Sequence, residues 1–268
     1  SSYLLMYKYN AHRETTSVFK MCSVPLQFLL ALFLLKISNG EEITFKNVTI
    51  KWDQDETNFA TGDNLKKIIP SEEKIFVRIS GDVPVLHEKS IYGIPNLRAL
   101  RMVSVGLEEI KHGAFGNLSV LHYLDLSSNK LTEIKSGTFC NLKMTTINLA
   151  SNLIISLQPG AFKNITVQNL RLNNNKLTEL PSTVFENVTV RNLELHYNYI
   201  HTIAPQAFST ICLESLVLYN NKLEKIDPEA LNISELKMLA LGFNQIEFLR
   251  PGDLKNLPQL EELSFINN

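Results

Sequence analysis

Apolar positions recur along this chain at a fixed interval. The stretch "LHYLDLSSNKLTEIKSGTF", residues 121–139, places Leu at 121, 124, 126 and 131 and an Asn at 129. "MTTINLASNLIISLQPGAF" and "VQNLRLNNNKLTELPSTVF" restate that skeleton with the residues between left free. Aligned on the first member of the Leu-x-Leu pair, the registers are Leu100, Leu124, Ile147, Leu170, Leu193, Leu216, Leu239 and Leu263, spaced 24, then 23 five times, then 24. An Asn column follows at Asn129, Asn152, Asn175, Asn198, Asn221, Asn244 and Asn268, with Val105 in its place in the first register. Behind it run an apolar column (Leu131, Ile154, Leu177, Ile200, Leu223, Ile246) and a Phe or Leu column (Phe115, Phe139, Phe162, Phe185, Phe208, Leu231, Leu254).

The pattern predicts its own elements. In "LDL" two Leu alternate with Asp125, a period of two that puts one face inward and one outward, so each repeat supplies a short strand. A single repeat cannot bury its Leu face. A stack of repeats joins these strands into a parallel sheet over one continuous core. The chain turns inward after each strand, and that turn buries backbone N–H and C=O groups. A buried Asn amide, with two donors and an acceptor, satisfies them, which makes the Asn column a structural ladder rather than a row of reactive groups. The Phe column is expected to form a core spine.

The arrangement L-x-x-L-x-L-x-x-N-x-L, recurring through residues 97–268, resembles the leucine-rich repeat, and its "xxIxxxxFxxL" half resembles the long extracellular class to which Toll-type receptor ectodomains and secreted insect recognition proteins belong. That resemblance implies an α/β solenoid: a horseshoe with a parallel β-sheet on the concave face and loops or short 3-10 or α turns on the convex face. It also implies ligand binding on the concave side. Terminal repeats need caps to keep their apolar edges from water. Residues 41–96 are read as an N-terminal cap and degenerate first repeat. In "ITFKNVTIKW" the alternation changes near Asn47, predicting a strand with a bulge; "DQDETNFATGDN" reads as a polar loop; Val77 and Ile79 take the Leu-x-Leu places and Ile91 the Phe place. The chain departs from its family in having no four-cysteine cap before Cys140. Asn268 is itself a member of the Asn column, so the array is expected to be truncated in mid-repeat.

The N-terminal segment sets the compartment. Val24–Leu35, "VPLQFLLALFLL", is apolar over twelve positions, too short for the ~20 residues a membrane span needs and suited to a secretory leader. Small residues Ser38 and Gly40 stand at −3 and −1 before Glu41. Residues 21–40 are therefore read as the signal peptide and 1–20 as upstream or n-region, with Met6 and Met21 both open as initiator. The product is expected to be secreted, or held at the cell surface if an anchor follows. Cys140 and Cys212 then remain in an oxidising compartment, yet three rungs at about 4.8 Å separate them, beyond disulfide reach. They are expected to be free and buried, or paired with another chain.

Sequons stand at Asn47, Asn117, Asn164, Asn187 and Asn232. Three of them fall two residues after the Phe column, on the side expected to face away from the sheet. A net charge of −1 gives no reason to expect nucleic acid. The chain carries no Gly-rich phosphate loop, paired-Cys metal spacing or Gly-x-Ser-x-Gly elbow. No catalysis, cofactor or metal is expected, and His196 and His201 are placed on different surfaces. Along the outward positions Asp125, Ser127, Ser128, Asn148, Ala150, Ser151, Arg171, Asn173 and Asn174 are mainly small and polar, whereas His196, Tyr197, Val217, Tyr219, Met238, Ala240 and Phe243 are larger and more apolar. The expected binding surface comprises His196, Tyr197, Val217, Tyr219, Met238 and Phe243, with Tyr197, Tyr219 and Phe243 forming one aromatic patch. The expected function is non-catalytic recognition of a macromolecule, a protein in the first instance; a receptor ectodomain and the regulatory region of a larger enzyme are the alternatives. Secreted material should begin at Glu41 on N-terminal sequencing and lose apparent mass with an Asn-glycan hydrolase; a start upstream of Met21, or no mass change, would refute the leader and the glycans respectively.

Overall fold

The computed structural model describes residues 44–52, 56–68 and 76–268. The architecture below is that of the unit spanning residues 42–268. The leader expected over 21–40 and its cleavage point lie outside the described residues.

Eleven strands form the main sheet: β1 (Phe45–Trp52), β2 (Glu56–Gly62), β3 (Phe76–Ser80), β4 (Ala99–Arg101), β5 (Tyr123–Asp125), β6 (Lys143–Asn148), β7 (Thr166–Arg171), β8 (Val188–Glu194), β9 (Ile211–Val217), β10 (Met238–Ala240) and β11 (Glu262–Ser264). Their order is β2-β1-β3-β4 and then sequential to β11, antiparallel within the first three and parallel from β3 onward. The parallel register matches the repeat: Leu100 lies beside Leu124, Ile147 beside Leu170, and Leu216 beside Leu239. Strands β6 to β9 are six or seven residues long, whereas β4, β5, β10 and β11 have three. The cause is local. In the long rungs buried residues alternate before the inner pair, as in Leu142–Met144, Ile165–Val167 and Val188–Val190, so the extended backbone starts early. In the short rungs they stand three apart, as in Leu118–Leu121 and Ile233–Leu236, which requires a turn.

Behind the sheet, Phe139, Phe162 and Phe185 are fully buried. From Phe115 to Phe208 successive rings stack with centroids 5.4–5.9 Å apart. Each such pair contributes about 0.5–1.5 kcal/mol beyond its buried area. As far as Ile203 the back of the rungs carries two-residue strands such as Phe139–Cys140 and Phe162–Lys163 joined by loops and turns, and from Pro205 onward it is turns and loops alone. The one described helix, α1 (Leu65–Ile68), belongs to the N-terminal segment.

The Asn column is the ladder its position predicts. Asn198 Nδ2 donates to the carbonyls of Leu172 (3.0 Å) and Leu195 (2.9 Å), and its Oδ1 accepts from the amide of Leu177 at 3.0 Å. One side chain thus joins its own turn to the rung before it. The same set recurs at Asn152, Asn175, Asn221 and Asn244. At the first rung Asn129 Oδ1 accepts from the amides of Val105 (2.9 Å) and Leu107 (3.1 Å), so the register that lacks an Asn is served by its neighbour. Asn268 completes the column, accepting from the Ile246 amide at 3.4 Å.

The N-terminal segment both matches and corrects the sequence. The register of β1 shifts between Phe45 and Val48, and Asn47 has φ 52°, so the bulge falls where the alternation changes. Val77 lies beside Leu100, and Ile91 beside Phe115. Part of the expected polar loop, however, is strand β2, paired with β1. A polar strand at a sheet edge satisfies its inner row of backbone groups while its composition discourages further pairing, which is why it reads as a loop in sequence. Cys140 and Cys212 are free, but neither is buried: Cys140 is half-exposed beside Phe139 on the back, and Cys212 is exposed on the outward side of β9.

Asn198→Ala should lower stability by about 1–3 kcal/mol, because three backbone groups lose a buried partner. Asn192→Ala should cost far less, since its half-exposed amide only donates to Asn169 Oδ1 (2.8 Å) on the sheet surface. Thermal melts of the two variants test this, and equal shifts would contradict the ladder.

Candidate functional site

Four columns of side chains next to the Asn turns cross the open face of the sheet, the face the resemblance names concave. In register these are Tyr123–Thr146–Asn169–Asn192–Ser215–Met238, then Asp125–Asn148–Arg171–Glu194–Val217–Ala240. The third runs Ser127, Ala150, Asn173, His196, Tyr219 and Gly242. The fourth is the residue before each ladder Asn: Ser104, Ser128, Ser151, Asn174, Tyr197, Asn220, Phe243 and Asn267.

All eight residues of the fourth column have φ between 52° and 57°. This left-handed corner redirects the chain so that the next residue, Asn, turns inward. Ser and Asn tolerate it through short polar side chains, whereas bulky residues there are outliers, strained by about 1–3 kcal/mol. Tyr197 and Phe243 nonetheless occupy it, each about half exposed (50% and 51%).

The structure brings His196, Tyr197 and Tyr219 together. The His196 imidazole stacks on Tyr219 with centroids 4.5 Å apart and planes 14° off parallel, while Tyr197 meets both rings edge-on, at 5.6 Å from His196 and 5.4 Å from Tyr219. His196 Nδ1 is buried without a hydrogen-bond partner. Burial holds this imidazole below its usual range, against the opposing pull of Glu194, so it is neutral at pH 7. Burial also raises the Tyr219 phenol, with Tyr197 and Glu194 adding to the effect. Val217 lies between Glu194 and Ala240, and Met238 accepts from Ser215 Oγ at 3.6 Å. Phe243 stands two rungs from Tyr197 in the same column, with Asn220 between them, and among the described residues no ring contact joins it to the trio. His201 lies beyond the Asn198 turn, with Nδ1 2.9 Å from Thr202 Oγ1.

Asp125 departs from its expected outward exposure. It sits on the open face yet is 2% exposed, because its neighbours roof it. Its carboxylate accepts from Tyr123 Oη (3.1 Å), the Ser127 amide (3.2 Å), Ser127 Oγ (2.6 Å) and Asn148 Nδ2 (3.0 Å), and Arg101 lies 3.5 Å away. Arg171 and Glu194 pair at 3.1 Å. Two exposed apolar residues near these columns were not expected: Tyr199, two residues after Tyr197, and Ile266, two rungs beyond Tyr219. Tyr199 follows the ladder in a column that otherwise holds Lys130, Leu153, Lys176, Lys222 and Gln245, too mixed to signal a surface.

All five sequon asparagines are exposed. Asn164 and Asn187 lie at the upstream rim of the sheet rather than far from it, since β7 begins at Thr166 and β8 at Val188. Both have φ 52°, and their amides form a short exposed ladder with Asn141 at 3.2 Å per step. The short link between the Phe column and the long strands puts them there.

A stacked parallel sheet with a buried Asn ladder and a variable open face defines a repeat solenoid of the binding type. Residues 95–154 match the family described as Leucine rich repeat, and residues 132–250 match the BspA type Leucine rich repeat region (6 copies). Together these cover more than half of the chain, which belongs to the leucine-rich-repeat family. Among solved structures, a TLR13–ssRNA13 complex is similar at 23% identity over 69% of this chain and 27% of that one, with a TM-score of 0.59. A Drosophila Toll–Spatzle complex is similar at 17% identity over 75% of this chain and 35% of that one, with a TM-score of 0.36, too low to bear on shape. This chain thus spans little more than a quarter of the TLR13 chain. No curated protein sequence matches it significantly.

If the left-handed corner strains Phe243, then Phe243→Asn, the residue found at Asn174 and Asn220, should raise stability by about 1 kcal/mol. Calorimetry tests this; a lower melting temperature would show that Phe243 packs to the fold's advantage.

Proposed function

We propose that this chain is an extracellular, non-catalytic recognition module that binds a protein partner on the open face of its sheet, at His196, Tyr197, Val217, Tyr219, Met238 and Phe243. The observation that carries this reading is the placement of two large aromatic side chains in left-handed corners that Ser or Asn fill on the other rungs. Backbone strain held at an exposed surface, where it adds nothing to the core, is characteristic of binding sites. The stacked His196–Tyr219 pair supports it further, because rings fixed before binding lose little entropy on contact. Leucine-rich-repeat solenoids serve as interaction scaffolds, and the fold likeness to a Toll-type structure supports an extracellular setting with glycans on Asn47, Asn117, Asn164, Asn187 and Asn232.

The TLR13 structure holds ssRNA13. For this chain a protein partner is the better-supported reading. Its net charge is −1, and Arg171, the cation in the middle of the open face, is offset by Glu194. Aromatic residues carry a disproportionate share of protein-interface energy, often at least about 2 kcal/mol each on truncation.

Binding of the secreted chain to an array of purified extracellular proteins, by biolayer interferometry, tests the proposal. Tyr197→Ala and Tyr219→Ala should each weaken the partner found by at least about 30-fold while the melting temperature holds. Ser128→Ala and Ser151→Ala, in the column of Tyr197, should do little. If the serine changes matter more, or the aromatic changes act by unfolding, the partner does not use this surface.

A further inference from the structure

The opposite end of the same open face carries a different chemistry. Lys51 on β1 lies directly beside Arg78 on β3, and Arg78 directly beside Arg101 on β4. Directly opposed residues point to one face of a sheet, so three cationic side chains form one transverse row across three adjacent strands. All three are exposed. With strands about 4.8 Å apart, the row spans about 10 Å.

Like charges opposed across strands are destabilising, and little relieves these. Asp125, one strand further on, lies 3.5 Å from Arg101 but is already engaged by Tyr123, Ser127 and Asn148. Among the described residues neither Lys51 nor Arg78 has a carboxylate partner. Arg78 and Arg101 border a cavity of about 320 Å³ with Ile79, Ser80 and Val103. Phe76, 60% exposed on β3 and in the same column as Ala99 and Tyr123, stands two residues before Arg78 on the same face of that strand.

From this arrangement we infer a second binding site, formed by Lys51, Arg78 and Arg101, that takes an acidic peptide segment of a protein partner through its Asp or Glu carboxylates. Guanidinium groups bind carboxylates through paired, charge-assisted hydrogen bonds. Carboxylates on successive residues of an extended segment can meet cations on successive strands. A nucleic-acid backbone fits less well, because the row stops at Asp125 and no continuous basic stripe runs on along the sheet. The site rests on the proposed role of the open face in protein binding, but its residues lie about 24–34 Å from Tyr219 by strand count, so the two can be tested apart.

The experiment is fluorescence anisotropy with a labelled octaglutamate peptide on the folded secreted chain, with a single-stranded oligouridylate as the second probe. Octaglutamate should bind, weaken as salt rises, and weaken at least about tenfold in Arg78→Glu. Tyr197→Ala should leave this binding unchanged even if it abolishes partner binding. Arg78→Glu should also raise the melting temperature, because it places a carboxylate between Lys51 and Arg101. Absence of octaglutamate binding, binding indifferent to Arg78→Glu, or tighter binding of oligouridylate with the same Arg78 dependence would each overturn the assignment.

Discussion

Every rung of this solenoid must turn its chain inward immediately after a strand, and in doing so it buries peptide groups that water can no longer reach. The ladder asparagines resolve that problem, and the remaining structure depends on it. Each amide donates to two carbonyls, one in its own turn and one in the preceding rung, and accepts an amide from the preceding rung, as Asn198 does with Leu195, Leu172 and Leu177. An unpaired buried group would cost about 1–3 kcal/mol, so the spacing between strand and Asn cannot drift. That fixed spacing brings each core residue beside its counterpart in the next rung, Leu170 beside Leu193 and Phe162 beside Phe185.

The same turn shapes the binding surface. To point the Asn inward, the preceding residue takes a left-handed conformation, which lifts its side chain onto the rim of the open face. In most rungs that rim is small and polar. At Tyr197 and Phe243 it is aromatic, and the strain is tolerated because the ladder and the stacked core over-determine the backbone. The open face is thereby polarised. Rings gather over β8 and β9, while a row of three cations, with a carboxylate partner only at Arg101, crosses β1, β3 and β4. A partner that is apolar at one end and acidic at the other would engage both, with its direction set by charge.

Much of this was legible in the residues because the repeat supplies its own control. Eight copies of one pattern separate positions held by the fold from positions left free, and the free positions on the strand become the candidate surface. Where the repeat degenerates, legibility ended. The segment that forms β2 carries no alternation to reveal a strand, since an edge strand is held by backbone pairing with β1. Asp125 reads as outward by parity, and it is; its burial comes from Tyr123, Ser127 and Asn148, two of them on its own strand and turn and one on the next rung. Which aromatic side chains of the outward columns meet ring to ring, as His196, Tyr197 and Tyr219 do, is likewise a matter of distance that their columns alone do not show.

By itself, then, the sequence determined the rung length, the direction of the sheet, the ladder, the Phe spine and the columns that face outward, because each follows from periodicity and from the need to satisfy buried backbone groups. Tertiary structure alone decided which outward side chains touch. His196 and Tyr219 are 23 residues apart and stack only because adjacent rungs place them in register. Lys51, Arg78 and Arg101 become one row only because β1 joins the parallel sheet antiparallel and in that particular register. Contacts across rungs depend on the register of pairing, and a residue's own neighbours in the chain do not set that register.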